Sequence, residues 1–265
     1  MDNMIYEIIK EDPELKDLKI DPKDYFLAYQ YISIRDSNTD PDYIPKLNLE
    51  PYAHITYVPT KDKIIKDQTR LIKENLETFE SDIYISDVTL DDFIISDKSH
   101  ERVINYVKRF IKNPKKYDKG IYLNGPYSTG KSFLLSGLAN ELTKLDVKVV
   151  FVFVPDFTRS IRGAIPTGEL EKKINILKKC DYLILDDLGG EYHSKWFRDE
   201  ILLPIIHYRL NALLPIFISS NFSQKELATN LINDSKGEDA TQVLRLIRRI
   251  NDMTKTFEFK THFNK

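Results

Sequence analysis

Cysteine is almost missing from this chain: of 265 residues only Cys180 carries a thiol. An intrachain disulfide is therefore excluded, and Cys180, just ahead of the apolar run Tyr182-Leu183-Ile184-Leu185, reads as a small core residue. Histidine is sparse as well. His54, His100, His193, His207 and His262 are scattered with no pair at metal-ligand spacing, so no zinc is expected. No apolar run reaches the roughly 18 residues that cross a bilayer, which argues against a membrane partner. The start, Met1-Asp2-Asn3-Met4, carries acid where a secretory signal carries base, and a cytoplasmic protein is the expectation. Internal repeats and low-complexity tracts are lacking too. Net charge is only −2, yet residues 1–100 hold 22 Asp/Glu against 12 Lys/Arg, and the rest 19 against 27. An acidic front and a basic back point to different partners, with nucleic acid or plain solvent facing the basic part.

What is present centres on Gly125-Pro126-Tyr127-Ser128-Thr129-Gly130-Lys131-Ser132. Glycine, four residues, then Gly-Lys-Ser is the spacing of a phosphate-binding loop. Ile121-Tyr122-Leu123 enters it, and Leu134, Leu135, Leu138, Leu142 and Leu145 leave it in a helical pattern. Strand, tight loop and helix N-terminus together aim backbone N–H groups at one point, where a polyphosphate is held. Gly130 lets the backbone approach phosphate oxygens, Lys131 brings a point charge to the β- and γ-phosphates, and Ser132 offers a hydroxyl to Mg²⁺. The ligand implied is a nucleoside triphosphate with Mg²⁺.

Leu183-Ile184-Leu185-Asp186-Asp187 follows about fifty residues downstream, an apolar strand delivering acid at its C-terminal end. In open α/β sheets ligands bind at that edge. Asp186 is suited to hold Mg²⁺ through its water shell, and Asp187 to polarise an attacking water. Asn221, at the end of the next strand-like run Pro215–Ser220, is within the vocabulary of a γ-phosphate or water contact. Late in the chain Arg245, Arg248 and Arg249 cluster, with Arg245 and Arg249 one helical turn apart. Such an arginine can stabilise charge on the γ-phosphate of a neighbouring subunit; the same cluster also reads as an exposed basic helix.

In chain order, residues 1–80 read as a small module: helical spacing at Ile5, Ile8 and Ile9, a second helix over Tyr25–Ile32, a hairpin within Pro41–Pro59, and a helical pattern over Lys61–Phe79. Residues 81–98 read as an acidic linker and 99–265 as the nucleotide-binding domain. There an amphipathic helix spans Ser99–Asn113, a strand Val149–Val154, helices Asp156–Arg162 and Gly168–Lys179. A long helical pattern from about Lys195 to Leu213 is interrupted at Pro204, where a kink or break is predicted. Ser223 and Asp239 read as helix N-caps, and Lys255–Lys260 as an edge strand. Val149–Val154, apolar throughout, is what a strand covered on both faces looks like. The fold class is α/β: a P-loop NTPase parallel sheet with helices on both faces, after a small α+β N-terminal domain.

With these pieces in order, the chain resembles the bacterial replicative helicase loaders, the DnaI/DnaC branch of the AAA+ (ASCE) ATPases, with the DnaI side the nearer. The likeness rests on Gly120–Ser132, Leu185-Asp186-Asp187-Leu188-Gly189-Gly190-Glu191, Trp196-Phe197-Arg198-Asp199-Glu200, Pro204 with His207-Tyr208-Arg209, Phe217–Phe222, and Arg245–Ile250. It covers roughly residues 100–265. The resemblance implies ATP with Mg²⁺ as ligands, slow ATP hydrolysis stimulated by single-stranded DNA, and self-assembly through the ATP sites. It also implies an N-terminal domain that binds the hexameric replicative helicase, and a primosome role of placing that helicase on single-stranded DNA. By motif position Arg249 is the finger acting in trans with Arg245 beside it in the nucleotide site, and Asn221 is the sensor. Single-strand contact falls on the helices after the second core strand, at Phe157, Arg159, Arg162, Lys172 and Lys173.

Two departures stand out. Many relatives carry Glu where this chain has Asp187. DnaI-type N-terminal domains hold a cysteine-ligated zinc, whereas residues 1–98 here have no cysteine, so packing of Tyr, Phe and Ile must replace the metal. Two rival readings share the ATPase core: a transposase-helper ATPase, and a non-catalytic adaptor switched by nucleotide.

Overall fold

The computed structural model describes residues 2–79, 87–113, 118–163, 168–190, 195–234 and 240–260. The chain divides into two compact units, Met1–Arg70 and Leu71–Lys265. Among the described residues no helix is long and apolar enough to cross a membrane.

The first unit contains α1 (Asp2–Glu11), a 3-10 turn at Pro22–Asp24, α2 (Tyr25–Asp36), β1 (Tyr43–Asn48) and β2 (His54–Pro59). The two strands form the expected antiparallel hairpin, with Leu47 opposite Ile55 and Ile44 opposite Val58. Its core is small: Ile9, Leu15, Ala28 and Tyr31 are buried, with Leu47 and Ile55 packed on them. Packing is reinforced by an ion pair. Arg35 on α2 grips Asp12 with both guanidinium nitrogens, at 3.0 and 2.6 Å, while Asp12 Oδ1 also accepts from the amides of Glu14 and Leu15. One buried carboxylate thereby closes the turn after α1 and ties it to α2.

The division between units falls within α3 (Lys61–Asn75). The helix predicted to reach Phe79 stops at Asn75, and Leu76–Phe79 is instead β3, paired in parallel with β5 (Val149–Phe153) from Leu76↔Val149 to Phe79↔Val152. Partnership in the large sheet overrides the helical reading of these residues. The stretch read as a linker also contributes structure from residue 87 onward. Val88, Leu90 and Phe93 are buried, and Asn140 of α5 (Lys131–Thr143) donates to the Val88 carbonyl at 2.7 Å. Gly137 permits this approach, since a Cβ there would press the backbone of Thr89 at 3.2 Å. Asp97 then caps α4 (Lys98–Lys112) through the amides of Ser99 and His100.

The second unit is a six-stranded sheet in the order β3-β5-β6-β7-β4-β8, where β4 is Gly120–Asn124, β6 Tyr182–Asp186, β7 Ile216–Ser220 and β8 Thr254–Glu258. Every pairing is parallel. Strand residues alternate between two cores, as the period of two requires. Ile121, Leu123, Phe151, Ile184 and Phe217 meet α4 and α5 on one face. Tyr122, Val150, Val152, Leu183, Leu185 and Ile218 pack on the other. That second face is covered by α6 (Val154–Gly163), α7 (Leu170–Lys179), α8 (Leu203–Ala212), α9 (Gln224–Asp234) and α10 (Ala240–Met253). The long pattern around Pro204 resolves into a π-helical turn over Phe197–Leu202 followed by α8. Pro204 sits at the junction of the two, where having no N–H to donate back into the preceding turn coincides with the change of helix type. Ser223 and Glu226 cap α9 reciprocally; Asp239 lies outside the described residues.

Arg209 on α8 is fully buried, with no carboxylate partner among the described residues. Its guanidinium donates to the carbonyls of Leu177 and Cys180 at 3.0 and 2.8 Å, and of Asp181 and Pro215 at 3.2 and 2.6 Å. It thus joins the end of α7 to the entrances of β6 and β7.

The Asp12–Arg35 pair carries a pH dependence. Hydrogen bonding from Arg35 holds the Asp12 carboxyl below its usual range, against the opposing pull of burial. A depressed folded-state pKa adds stability above the unfolded value, near 3.8, and that stability is lost as pH falls through the folded value. Amides of α1 and α2 are expected to lose hydrogen-exchange protection below about pH 4. Asp12→Asn is expected to flatten this acid limb and to cost about 1–2 kcal/mol at neutral pH.

Candidate nucleotide-binding site

Strand β4 ends at Asn124 and turns into the loop at Gly125, where φ is +154° and a Cβ would sit 2.3 Å from the Phe259 carbonyl oxygen. Only glycine fits. Ser128 and Gly130 also take positive φ, and the Thr129 hydroxyl closes the loop on the Pro126 carbonyl at 2.9 Å. Gly130 stands at the N-cap of α5 and no side chain caps that helix, which leaves its first-turn amides and dipole to an anion.

Lys131 is 93 % shielded from solvent, with only 7 % of its surface exposed. Its ammonium donates to the carbonyls of Gly125 (2.8 Å) and Pro126 (2.7 Å) and to Asn221 Oδ1 (2.9 Å). Burial lowers its pKa, with Asp187 and then Asp186 acting in the opposite direction. Asn221, one residue past β7, turns its other end to Asp187, Nδ2 donating to Oδ1 at 2.6 Å. A continuous chain therefore runs Lys131–Asn221–Asp187. Asp187 itself holds φ of +59°, a strained setting for a residue with a Cβ and one that clusters at functional sites. Gly190 makes room for its carboxylate: a Cβ there would fall 2.2 Å from Oδ2.

Asp186 is completely buried at the end of β6. Its Oδ1 accepts a short hydrogen bond from the Ser219 hydroxyl, whose oxygen in turn accepts from the Asp187 amide at 2.9 Å. Burial raises the Asp186 pKa, opposed by hydrogen bonds from Ser219 and Ser132; burial likewise raises that of Asp187, opposed by Lys131 and Asn221. The second oxygen of Asp186 has no hydrogen-bond partner. A buried carboxylate with one oxygen left this way, and the Ser132 hydroxyl that interacts with the same side chain, are a fitting ligand set for a hard dication. Ser132 and Asp186 would hold Mg²⁺, which supplies charge neutralisation at phosphate oxygens, and the loop amides with Lys131 would hold the polyphosphate.

These groups border one cleft of about 300 Å³, lined by the loop from Tyr127 to Phe133, Phe153, Asp187, Ser219 and Asn221. The structure thus brings together Lys131, Ser132, Asp187 and Asn221, with Asp186 buried beneath. It does not bring the arginines there. Arg245, Arg248 and Arg249 lie on α10, the first two exposed and Arg249 half-buried, and none lines the cleft of its own chain. The expected single-strand track changes as well. Phe157 is buried in the core against Phe197 and has no face to offer a base. Arg159 pairs with Asp156, Lys172 is exposed and Lys173 half-buried, and the Arg162 side chain lies outside the described residues.

Ser219 is the site residue that sequence reasoning passed over. The one available signal was a hydroxyl directly after the apolar run Ile216-Phe217-Ile218, ahead of the polar turn. Ser220 beside it is structural: its hydroxyl donates to the Leu188 carbonyl at 2.6 Å and accepts from the Phe222 amide at 3.1 Å.

Residues 81–250 match the family model described as IstB-like ATP binding protein. Over 266 aligned residues the chain is 31% identical to the replicative helicase loader DnaI of Bacillus subtilis (strain 168), covering 94% of this chain and 85% of that protein. This chain belongs to the DnaI-type helicase loader family. A crystal structure of DnaI superposes with a TM-score of 0.64 at 31% identity, over 70% of this chain and 97% of the other. The DnaC helicase loader shares the fold, with a TM-score of 0.58 at 24% identity over 68% of this chain and 100% of its own. The matched family is described as ATP binding, which makes ATP the nucleotide expected of this chain. The family model reaches only the second unit, whereas the DnaI alignment spans nearly the whole chain.

The Ser219 bridge generates a prediction. Ser219→Ala removes the donor to Asp186 and the acceptor for the Asp187 amide, and is expected to destabilise the second unit by about 2 kcal/mol in urea unfolding. It is also expected to raise the Mg²⁺ concentration needed for half-maximal binding of a fluorescent ATP analogue about tenfold. Ser219→Thr, which keeps the hydroxyl, is expected to restore most of both.

Proposed function

We propose that this protein is an ATP-dependent loader that places the hexameric replicative DNA helicase on single-stranded DNA during initiation or restart of replication. The observation that carries the reading is the likeness to a replicative helicase loader across both units, 94% of the chain. A transposase helper would be expected to share the ATPase unit and differ in the part that meets its partner. In this reading the first unit, held together by its Asp12–Arg35 pair and Tyr/Ile packing, engages the helicase, and the protein works in the cytoplasm.

The hydrogen bonds of the cleft support a reading in which ATP acts as a switch. Lys131 shifts its hydrogen bonds from the Gly125 and Pro126 carbonyls and Asn221 to phosphate oxygens. Asn221, shared between Lys131 and Asp187, is then free to report the γ-phosphate to Asp187. The Asp187 carboxylate orients and polarises the attacking water, and its shorter side chain and strained backbone suit slow turnover. Arg249, with Arg245 beside it, lies outside its own cleft and reaches the γ-phosphate of a neighbour, so the site is complete only in the assembled protein. Single-stranded DNA that favours assembly therefore stimulates hydrolysis.

Three measurements test this. A pull-down with the cognate replicative helicase is expected to give an ATP-dependent complex; its absence sinks the loader reading. Lys131→Ala is expected to weaken ATP-analogue binding at least about tenfold and to abolish DNA-stimulated hydrolysis. Hydrolysis that is at background in both wild type and Lys131→Ala favours the adaptor. Arg249→Ala is expected to keep ATP binding and lose stimulated hydrolysis by about a hundredfold or more. Mixing it with Lys131→Ala should recover part of the rate, because the second variant lends its arginine to the first; no recovery moves the finger elsewhere.

A further inference from the structure

Helix α4 and the edge strand β8 meet along a surface that the nucleotide cleft does not use. Helix α4 carries Lys98, Arg102, Lys108, Arg109 and Lys112 against one acid, Glu101. Lys108 is engaged by Asp91 at 2.6 Å, while Arg102, Arg109 and Lys255 of β8 are exposed. Between them two half-buried rings face each other, Tyr106 and Phe257, with centroids 5.4 Å apart. Lys255 stands 5.1 Å from the first ring and 5.6 Å from the second, and Arg109 lies 5.6 Å from Tyr106. The Tyr106 ring is fixed in place by its hydroxyl, which donates to the Lys119 carbonyl at 2.5 Å.

The groove here is about 420 Å³, lined by the two rings, the three cations and two neutral polar residues, with no acid among the described residues. It continues past Tyr106 and Arg109 into a neighbouring hollow of about 380 Å³ that reaches Phe110 and Asn113, where Asp118 is the one acid among the described residues. A cation can rest on a ring face through attraction to the ring alone. Three that converge on a groove without an acid repel one another, and a polyanion relieves that repulsion. The rings narrow the choice. Bases in a duplex are already stacked on each other, whereas an unpaired base has a free face for Tyr106, Phe257 or the Arg109 guanidinium.

We propose that the α4–β8 groove binds single-stranded nucleic acid, with bases stacking at Tyr106 and Phe257 and phosphates held by Arg102, Arg109 and Lys255. The assignment rests on the loader reading only in taking DNA as the strand. It supplies the aromatic and basic combination that buried Phe157 cannot, on a different face of the second unit.

Fluorescence anisotropy of the full chain with a labelled oligothymidylate of roughly 15 nucleotides tests this. Arg102→Glu/Lys255→Glu is expected to weaken binding about tenfold or more and to flatten its salt dependence. Phe257→Leu is expected to weaken it about fivefold at unchanged salt slope, as loss of one stacking contact does. Both variants should keep wild-type ATP-analogue affinity. Undiminished strand binding by the charge-reversed variant overturns the proposal, as does no strand binding by the wild type. Equal affinity for a duplex of the same length makes the groove a general polyanion surface and overturns it too. A wild-type chain that binds the strand at this groove but captures no helicase sinks the loader reading and leaves the groove standing.

Discussion

Two buried polar groups hold the central strands at opposite ends, and the nucleotide site depends on both. At the entrances of β6 and β7, Arg209 supplies donors to carbonyls that the sheet and the end of α7 leave unpaired. At the exits, the Ser219 hydroxyl on β7 spans to Asp186 and to the Asp187 amide after β6. An unpaired carbonyl or carboxylate in so apolar a core costs on the order of 1–3 kcal/mol or more. The alignment of the two strands is therefore set by hydrogen bonding as much as by side-chain packing. With that alignment in place, the acid pair arrives opposite the phosphate loop.

The loop contributes its own constraint. Gly125 is pressed against the Phe259 backbone, and the Phe259 amide donates to the Asn124 carbonyl at 2.7 Å. The residue after β8 thus helps shape the loop after β4, which is why an edge strand far along the chain matters to the nucleotide. Lys131 is the other half of the arrangement. A cation so deeply buried is tolerable because two carbonyls and Asn221 take its three protons. Asn221 then links it to strained Asp187, and a change at the loop has a direct route to the acid.

The first unit solves a different problem. Among the described residues its core has four buried hydrophobic side chains, slight for a module of this size, and residues 1–98 hold no cysteine. The bidentate Asp12–Arg35 pair crosses from the turn after α1 to α2, and Asp12 simultaneously caps that turn. It links two elements of this small unit with a strength that depends on pH.

The sequence alone determined the parts of this protein whose physics is local. Gly125–Ser132 was legible because glycine conformations, a buried lysine and a helix start need only eight consecutive residues. The parallel sheet was legible because uninterrupted apolar runs such as Val149–Phe153 bury both faces. The hairpin of β1 and β2 and the acids ending β6 followed from the same short-range patterns. Tertiary structure decided the rest. Leu76–Phe79 became a strand because Val149–Val152 was there to pair with it. Phe157 went into the core because α6 turned it toward Phe197, and no spacing within its own helix distinguished that from exposure. Ser219, Arg209 and the pairing of Tyr106 with Phe257 acquired their roles from partners distant in sequence. Such contacts depend on strand order and register, and those are properties of the whole sheet that no single segment encodes.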